Sequence, residues 1–196
     1  MDHRILSALR ACGADPRVGG AARALSLAGE HGALWLAAGL AGAAVDGARR
    51  GAWLRGTALV AGAHAVSMGV KRVVRRPRPA HIEPLAHTAG QHSFPSSHAT
   101  SAVAAAVAFG GLGARGARGG TSRAATSLNA SPRRAPLATR AVPTFATRAL
   151  PPLAAAMCLS RLVVGVHYPS DVAAGAVLGA LTARVGARWM RGGARD

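Results

Sequence analysis

The segment SRLVVGVHYPSD, Ser160 to Asp171, decides how the chain is read. Arg161 stands at the edge of an apolar run, and His167 follows it. Pro169 sits where a helix can begin, and Asp171 comes four residues after the histidine. Two helices joined by a tight turn accommodate this pattern. Pro at a first helical position loses no hydrogen bond, because that N–H is unpaired in any case. On a structural reading, the three polar residues are punctuation between buried helices, and Asp171 complements a helix dipole. On a chemical reading, His167 is a nucleophile. Asp171 then accepts its Nδ1 proton and leaves Nε2 free to attack, and Arg161 is an anion clamp. The rest of the chain bears on the choice.

Around this segment the chain is apolar and basic. Its 196 residues are 50% hydrophobic and carry a formal net charge of +17, with Lys71 the one lysine among 24 basic residues. That length suits one domain. Apolar runs alternating with Arg-rich connections predict an all-α polytopic membrane helix bundle rather than a soluble enzyme. The candidate spans are about 31–48, 54–74, 97–113, 150–166 and 170–189. Each is near the ~20 residues that cross a bilayer, giving about five transmembrane helices. Gly175 and Gly179 form a small-xxx-small pair suited to close helix packing. Residues 1–28 read as an amphipathic segment in the interface or a short extra helix. Arg10, Asp15, Pro16 and Arg17 interrupt any signal peptide there.

Residues 114–149 are rich in Arg, Ala, Ser, Thr, Gly and Pro with little periodicity, and read as a flexible solvated loop within the single domain. With five spans, this loop, residues 49–55 and the C-terminal tail share one Arg-rich side, which the positive-inside rule makes cytoplasmic. Residues 75–96 and 165–170 then face outward. Cys12 and Cys158 offer neither metal spacing nor a disulfide framework. No aromatic or groove-binding pattern accompanies the arginines, so no nucleic-acid partner is expected.

Two further clusters fall on the outward side. KRVVRRPRP, Lys71 to Pro79, ends the second span. A lysine kept in so Arg-biased a chain suits a compact point charge on phosphate; it also suits a basic flank that snorkels to headgroups. HSFPSSHAT, His92 to Thr100, opens the third span. Pro95, Ser96 and Ser97 suit a helix start whose free N–H groups bind an anion, with His98 aimed at that anion. They equally suit an ordinary N-cap beside an interfacial histidine. Lys71, Arg78 and Arg161 together with two histidines compose a phosphate site holding a nucleophile and an acid.

The three motifs read Lys71-x6-Arg78-Pro79, Pro95-Ser96-x-His98 and Ser160-Arg161-x5-His167-x3-Asp171. In order and spacing they resemble the signature motifs of the type 2 phosphatidic-acid phosphatase superfamily, over roughly residues 30–112 and 150–188. The resemblance implies a metal-independent lipid phosphate phosphatase with no cofactor, working through a phosphohistidine. His167 would attack phosphorus, Asp171 orient it, and His98 protonate the leaving oxygen and then activate water. Lys71, Arg78, Arg161, Ser96 and the backbone around Ser97 would bind the phosphoryl oxygens. Ser97 replaces the glycine usual in that family, which would be strained if the position needed φ > 0.

More narrowly, Gly29-Glu30-His31, HSFPSSHATS and SRLVVGVHYPSDVAAG resemble actinobacterial polyprenyl-linked phosphatases of the decaprenylphosphoryl-5-phosphoribose type. These supply cell-wall precursors. The resemblance implies a lipid-linked phosphate as substrate and membrane lipids as neighbours. Glu30 and His31 then either line the lipid or sugar pocket or are interfacial polar residues. A polyprenyl pyrophosphate or phosphatidic acid would fit the same motifs, which contact only phosphate. A vanadate-dependent haloperoxidase fits the cradle but not the short apolar chain. A non-catalytic basic membrane scaffold leaves Lys71, His98, His167 and Asp171 unexplained. Oligomeric state is not legible.

Overall fold

The computed structural model describes residues 1–86, 88, 90–124, 142 and 144–191. Among these the chain is all-helical, as expected, with one isolated antiparallel bridge between Pro77 and His92. The helices are α1 (Asp2–Cys12), α2 (Pro16–Ala28), α3 (Ala33–Val45), α4 (Arg50–Val74), α5 (Ser97–Ala124), α6 (Thr144–Arg148), α7 (Leu150–Val163) and α8 (Pro169–Arg191). Helices α3, α4, α5, α7 and α8 fall on the five apolar runs.

The first 28 residues form two helices instead of one interfacial segment. Asp15 separates them: its Oδ1 accepts from the N–H groups of Arg17 at 2.7 Å and Val18 at 3.3 Å, and Pro16 opens α2. This is a strong helix start, with an N-cap acid and a proline at the first position. Both helices lie on the bundle. Leu6 is fully buried with Leu162 and Val172, and Ala22 packs with Val163, Val164 and Val166. Burying those side chains against α7 and α8 removes apolar surface from water, which an isolated interfacial helix would not do.

Helix α5 continues to Ala124 instead of ending near Gly113, and α6 forms inside the stretch read as a loop. Residues 125–141 and 143 of that loop lie outside the described residues. Helices α3 and α7 have 13 and 14 residues, about 20 Å at 1.5 Å per residue, against a hydrocarbon core of ~30 Å. Helices α4 and α8 are longer but interrupted by Arg, Lys, His and Ser. Among the described residues, no helix is long and apolar enough to cross a membrane.

The core is aromatic and alanine-rich. Trp35, Trp53, Phe109 and Met157 join α3, α4, α5 and α7, and the Trp53 and Phe109 rings lie 5.2 Å apart. Helices α5 and α8 meet backbone to backbone. A Cβ at Gly175 would collide with the Ser96 carbonyl, and one at Gly179 with the Thr100 carbonyl. The small-xxx-small pair is therefore a contact that only glycine permits. It brings the first turn of α8 against the first turn of α5. At the end of α4, Arg75 adopts a left-handed φ of 52°, and its N–H closes on Lys71 O at 3.1 Å. That cap turns the chain back toward α8, and Arg76 and Arg78 follow it there.

Candidate active site

The three predicted clusters converge. One cavity of about 110 Å³ is lined by Lys71, Arg78, Ser97, His98, Arg161 and His167, among others. Each comes from an element end: Lys71 from the last turn of α4, His98 from the first turn of α5, Arg161 from the last turn of α7, and His167 from the turn before α8.

Main-chain and hydroxyl oxygens hold the three cations. Lys71 Nζ donates to His92 O at 3.4 Å. Arg78 Nε donates to Gly90 O at 2.7 Å, and its Nη1 to Val166 O at 2.8 Å. Arg161 is 1% exposed; its Nη1 donates to Ser26 Oγ, and its Nε has no partner. Among the described residues none of the three forms an ion pair. Asp171 and Glu30 act on these cations only from a distance, and three converging cations with no carboxylate in contact favour an anion that completes them.

The α5 start departs from one expectation. Ser97 lines the cavity, but Ser96 does not. Ser96 is fully buried; its Oγ faces the Ala99 N–H at 3.5 Å, and its own N–H donates to Asp171 O at 2.9 Å. It thus ties α5 to α8 as a cap. Among the described residues the only non-glycine positive φ values are at His31 and Arg75, so Ser97 carries no left-handed strain. The substitution for glycine is accommodated because the position is an ordinary helix start.

His167 is 1% exposed. Burial chiefly, and the nearby cations of Arg161, Lys71 and Arg78, push its pKa down to about 3, with Asp171 pulling the other way. The imidazole is therefore neutral at physiological pH. Its Nδ1 is buried and faces Asp171 Oδ2 at 3.7 Å, beyond hydrogen-bond length, so Nε2 is the nitrogen open to the cavity. Asp171 is itself fully committed. Its Oδ2 accepts from the Tyr168 N–H at 2.9 Å, and its Oδ1 from Arg76 Nη1 at 2.8 Å. The same Arg76 nitrogen donates to Ser170 Oγ at 2.8 Å, Nη2 pairs with Asp2 Oδ2 at 3.4 Å, and the guanidinium lies 4.2 Å over the Tyr168 ring. Sequence reasoning does not single out Arg76. It is one of four arginines in KRVVRRPRP, and only the left-handed turn at Arg75 selects which of them faces the carboxylate.

His98 Nε2 lies 3.0 Å from Ser26 O. A carbonyl only accepts, so Nε2 carries a proton there. Ser26 thus touches both the second histidine and the Arg161 clamp from α2. The sequence gives no signal for this residue. Its neighbours Glu30 and His31, and His64 and Met68 of α4, also line the cavity. His64 and Met68 were legible in principle, since they precede Lys71 by seven and three residues on one helical stripe. Among the described residues no cluster of His, Cys, Asp or Glu is arranged to hold a metal ion.

Two buried histidines among three cations that form no ion pair among the described residues define the class of site that handles a phosphoryl group. The chain belongs to the PAP2 superfamily, whose model matches residues 52–194, and with that membership it is a phosphoric monoester hydrolase. It is similar to decaprenylphosphoryl-5-phosphoribose phosphatase of Mycolicibacterium smegmatis, with 41% identity over 156 residues, covering 79% of this chain and 69% of that protein. It is also similar to the protein of that name from Mycobacterium tuberculosis, with 42% identity over 161 residues, covering 81% of this chain and 73% of the relative. No solved structure matches the chain.

Proposed function

We propose that the protein removes phosphate from a lipid-linked phosphomonoester, a polyprenyl-linked phosphoribose being the preferred kind, through a phosphohistidine at His167, in cell-wall precursor metabolism. The observation that carries this reading is the convergence of Lys71, Arg78 and Arg161, none of them ion-paired among the described residues, with His98 and His167 on one cavity. The similarity to two phosphatases named for a decaprenyl-linked substrate supports the choice of lipid.

The Nε2 lone pair of His167 attacks phosphorus in line. The P–O bond to the leaving group breaks, and its electron pair goes to the leaving oxygen, which takes a proton from protonated His98. Water then loses a proton to His98 and attacks the phosphohistidine. The P–N bond breaks, and its electrons return to His167. Lys71, Arg78 and Arg161 hold the equatorial oxygens and stabilise the charge that develops on them. Asp171 positions the imidazole and stabilises the cation it becomes.

The protein sits at a membrane in this reading, with the site on the extracytoplasmic face and the Arg-rich 114–149 connection on the other. Val177, Leu181, Val185 and Trp189 recur every fourth residue along α8 and are all exposed, which supports a lipid-facing stripe. Cysteines introduced at 114–149 should label only from the cytoplasmic side; labelling only from outside overturns the orientation.

The activity is tested by phosphate release in detergent with EDTA present, from polyprenylphosphoryl phosphoribose, polyprenyl pyrophosphate and phosphatidic acid. Wild type should favour the first, and His167→Ala should release none. Release that survives His167→Ala, or that EDTA abolishes, would sink the mechanism.

A further inference from the structure

The cavity carries two kinds of wall. Lys71, Arg78, Arg161, His98 and His167 make one of them cationic. The other is formed by Glu30 and His31, from the turn between α2 and α3, with His64 of α4. These three lie outside the phosphate machinery described above, and Glu30 and His31 precede the residues matched by the superfamily model.

The second wall is a built feature. His31 adopts φ 51° and ψ 17°, a left-handed conformation uncommon for a non-glycine residue. Such positions gather at ligand sites. Its ring meets that of His64 at a centroid separation of 6.4 Å. His64 Nδ1 is fixed by Ser101 Oγ at 3.0 Å. Its other ring nitrogen makes no hydrogen bond among the described residues. Glu30 makes neither a hydrogen bond nor an ion pair there. It is close enough to Arg161 to act on it electrostatically, yet no salt bridge joins them.

A free carboxylate beside a phosphate cradle repels a second phosphate. It accepts readily from hydroxyl groups, two oxygens offering several acceptor sites. His64 lies seven residues before Lys71 on the same face of α4, roughly 10 Å along the axis. A sugar ring attached to a bound phosphoryl group reaches across that interval, whereas the diacylglycerol of a phosphatidic acid offers no ring hydroxyls there.

We propose that Glu30, His31 and His64 form a subsite for the hydroxyl groups of the sugar that bears the scissile phosphate. This rests on the phosphatase reading above and assigns its selectivity for a sugar phosphomonoester over a diphosphate or a glycerolipid phosphate to this wall.

The test compares kcat/KM for polyprenylphosphoryl phosphoribose and for dioleoyl phosphatidic acid, in the full-length protein in detergent, for wild type, Glu30→Gln and His64→Gln. Each variant should lose about ten- to hundredfold more on the sugar-bearing substrate than on phosphatidic acid, mainly in KM, as expected when a hydroxyl loses a charged or fixed partner. Thermal melting in inorganic phosphate checks that each variant folds and keeps its cradle; if Glu30→Gln fails this check, His64→Gln carries the comparison. Equal losses on both substrates, or none, overturn the subsite and leave the phosphatase reading intact. A wild type that hydrolyses phosphatidic acid but not the sugar-bearing lipid overturns both the substrate reading and the subsite.

Discussion

Arg76 shows how far a single residue depends on its surroundings. It binds Asp171, Ser170 and Asp2 at once and covers Tyr168, so the Asp171 carboxylate is held from a second layer. Arg76→Gln should lower kcat about tenfold or more, because a small misplacement of the nucleophile is costly. Arg76→Lys, which keeps the charge but not the fork, should recover part of the loss; steady-state kinetics on both variants decide it. His167 adds a pH signature. Its folded pKa of about 3 lies below the ordinary 6.5, so the unfolded chain takes up that proton first. This contribution is intact above pH 6.5 and is lost as pH falls toward 3. Melting curves should therefore show wild type losing ground to His167→Gln between pH 6.5 and 4. At this scale the three spaced motifs pointed to Lys71, Arg78, Ser96, Ser97, His98, Arg161, His167 and Asp171, and the structure brings all of these but Ser96 and Asp171 onto one cavity. Ser26 and Arg76 were not legible, since their roles come from the packing of α2 and from one left-handed residue.

Helix boundaries were legible where apolar runs end in Arg, Pro or Gly. The start of α8 at Pro169 and the end of α4 at Val74 follow from such signals. The α5 extension was not, because its Arg–Gly-rich sequence from 114 onward has weak helix propensity and no apolar face to read. The seam between α5 and α8 is the contact on which the site's geometry rests most directly. Gly179→Ala places a methyl against the Thr100 carbonyl and should cost about 1–3 kcal/mol, typical of overpacking. Activity should fall with it, because the same seam holds the start of α5 against Asp171 through the Ser96 N–H; calorimetry and turnover on one preparation test both. Asp15→Ala removes the α2 cap and should cost about 1 kcal/mol.

For the whole molecule, charge and composition defined a basic, apolar helical protein, and the three motifs defined its chemistry. Composition did not reveal that the N-terminal helices fold onto the bundle and reach the cavity. The unpaired cations make a global prediction. Inorganic phosphate should raise the melting temperature, by up to about 2.7 kcal/mol of stabilisation at a hundredfold excess over Kd. Lys71→Ala should reduce that shift.

The cavity also has an order of assembly. Ser26, Lys71, His98 and His167 come from widely separated parts of the chain, and His167 and Asp171 come late in it. No local segment can form the site, and contacts of such long sequence separation are slow to close. A nascent chain that has emerged only through α5 holds His98, Lys71 and Arg78 but neither Arg161 nor His167. It can cradle an anion only weakly and can transfer nothing. Assembly of the cavity thus becomes a timing mark: it is complete only after α8 has docked, so a partly synthesised chain lacks the full set of residues a phosphoric monoester hydrolase of this family presents.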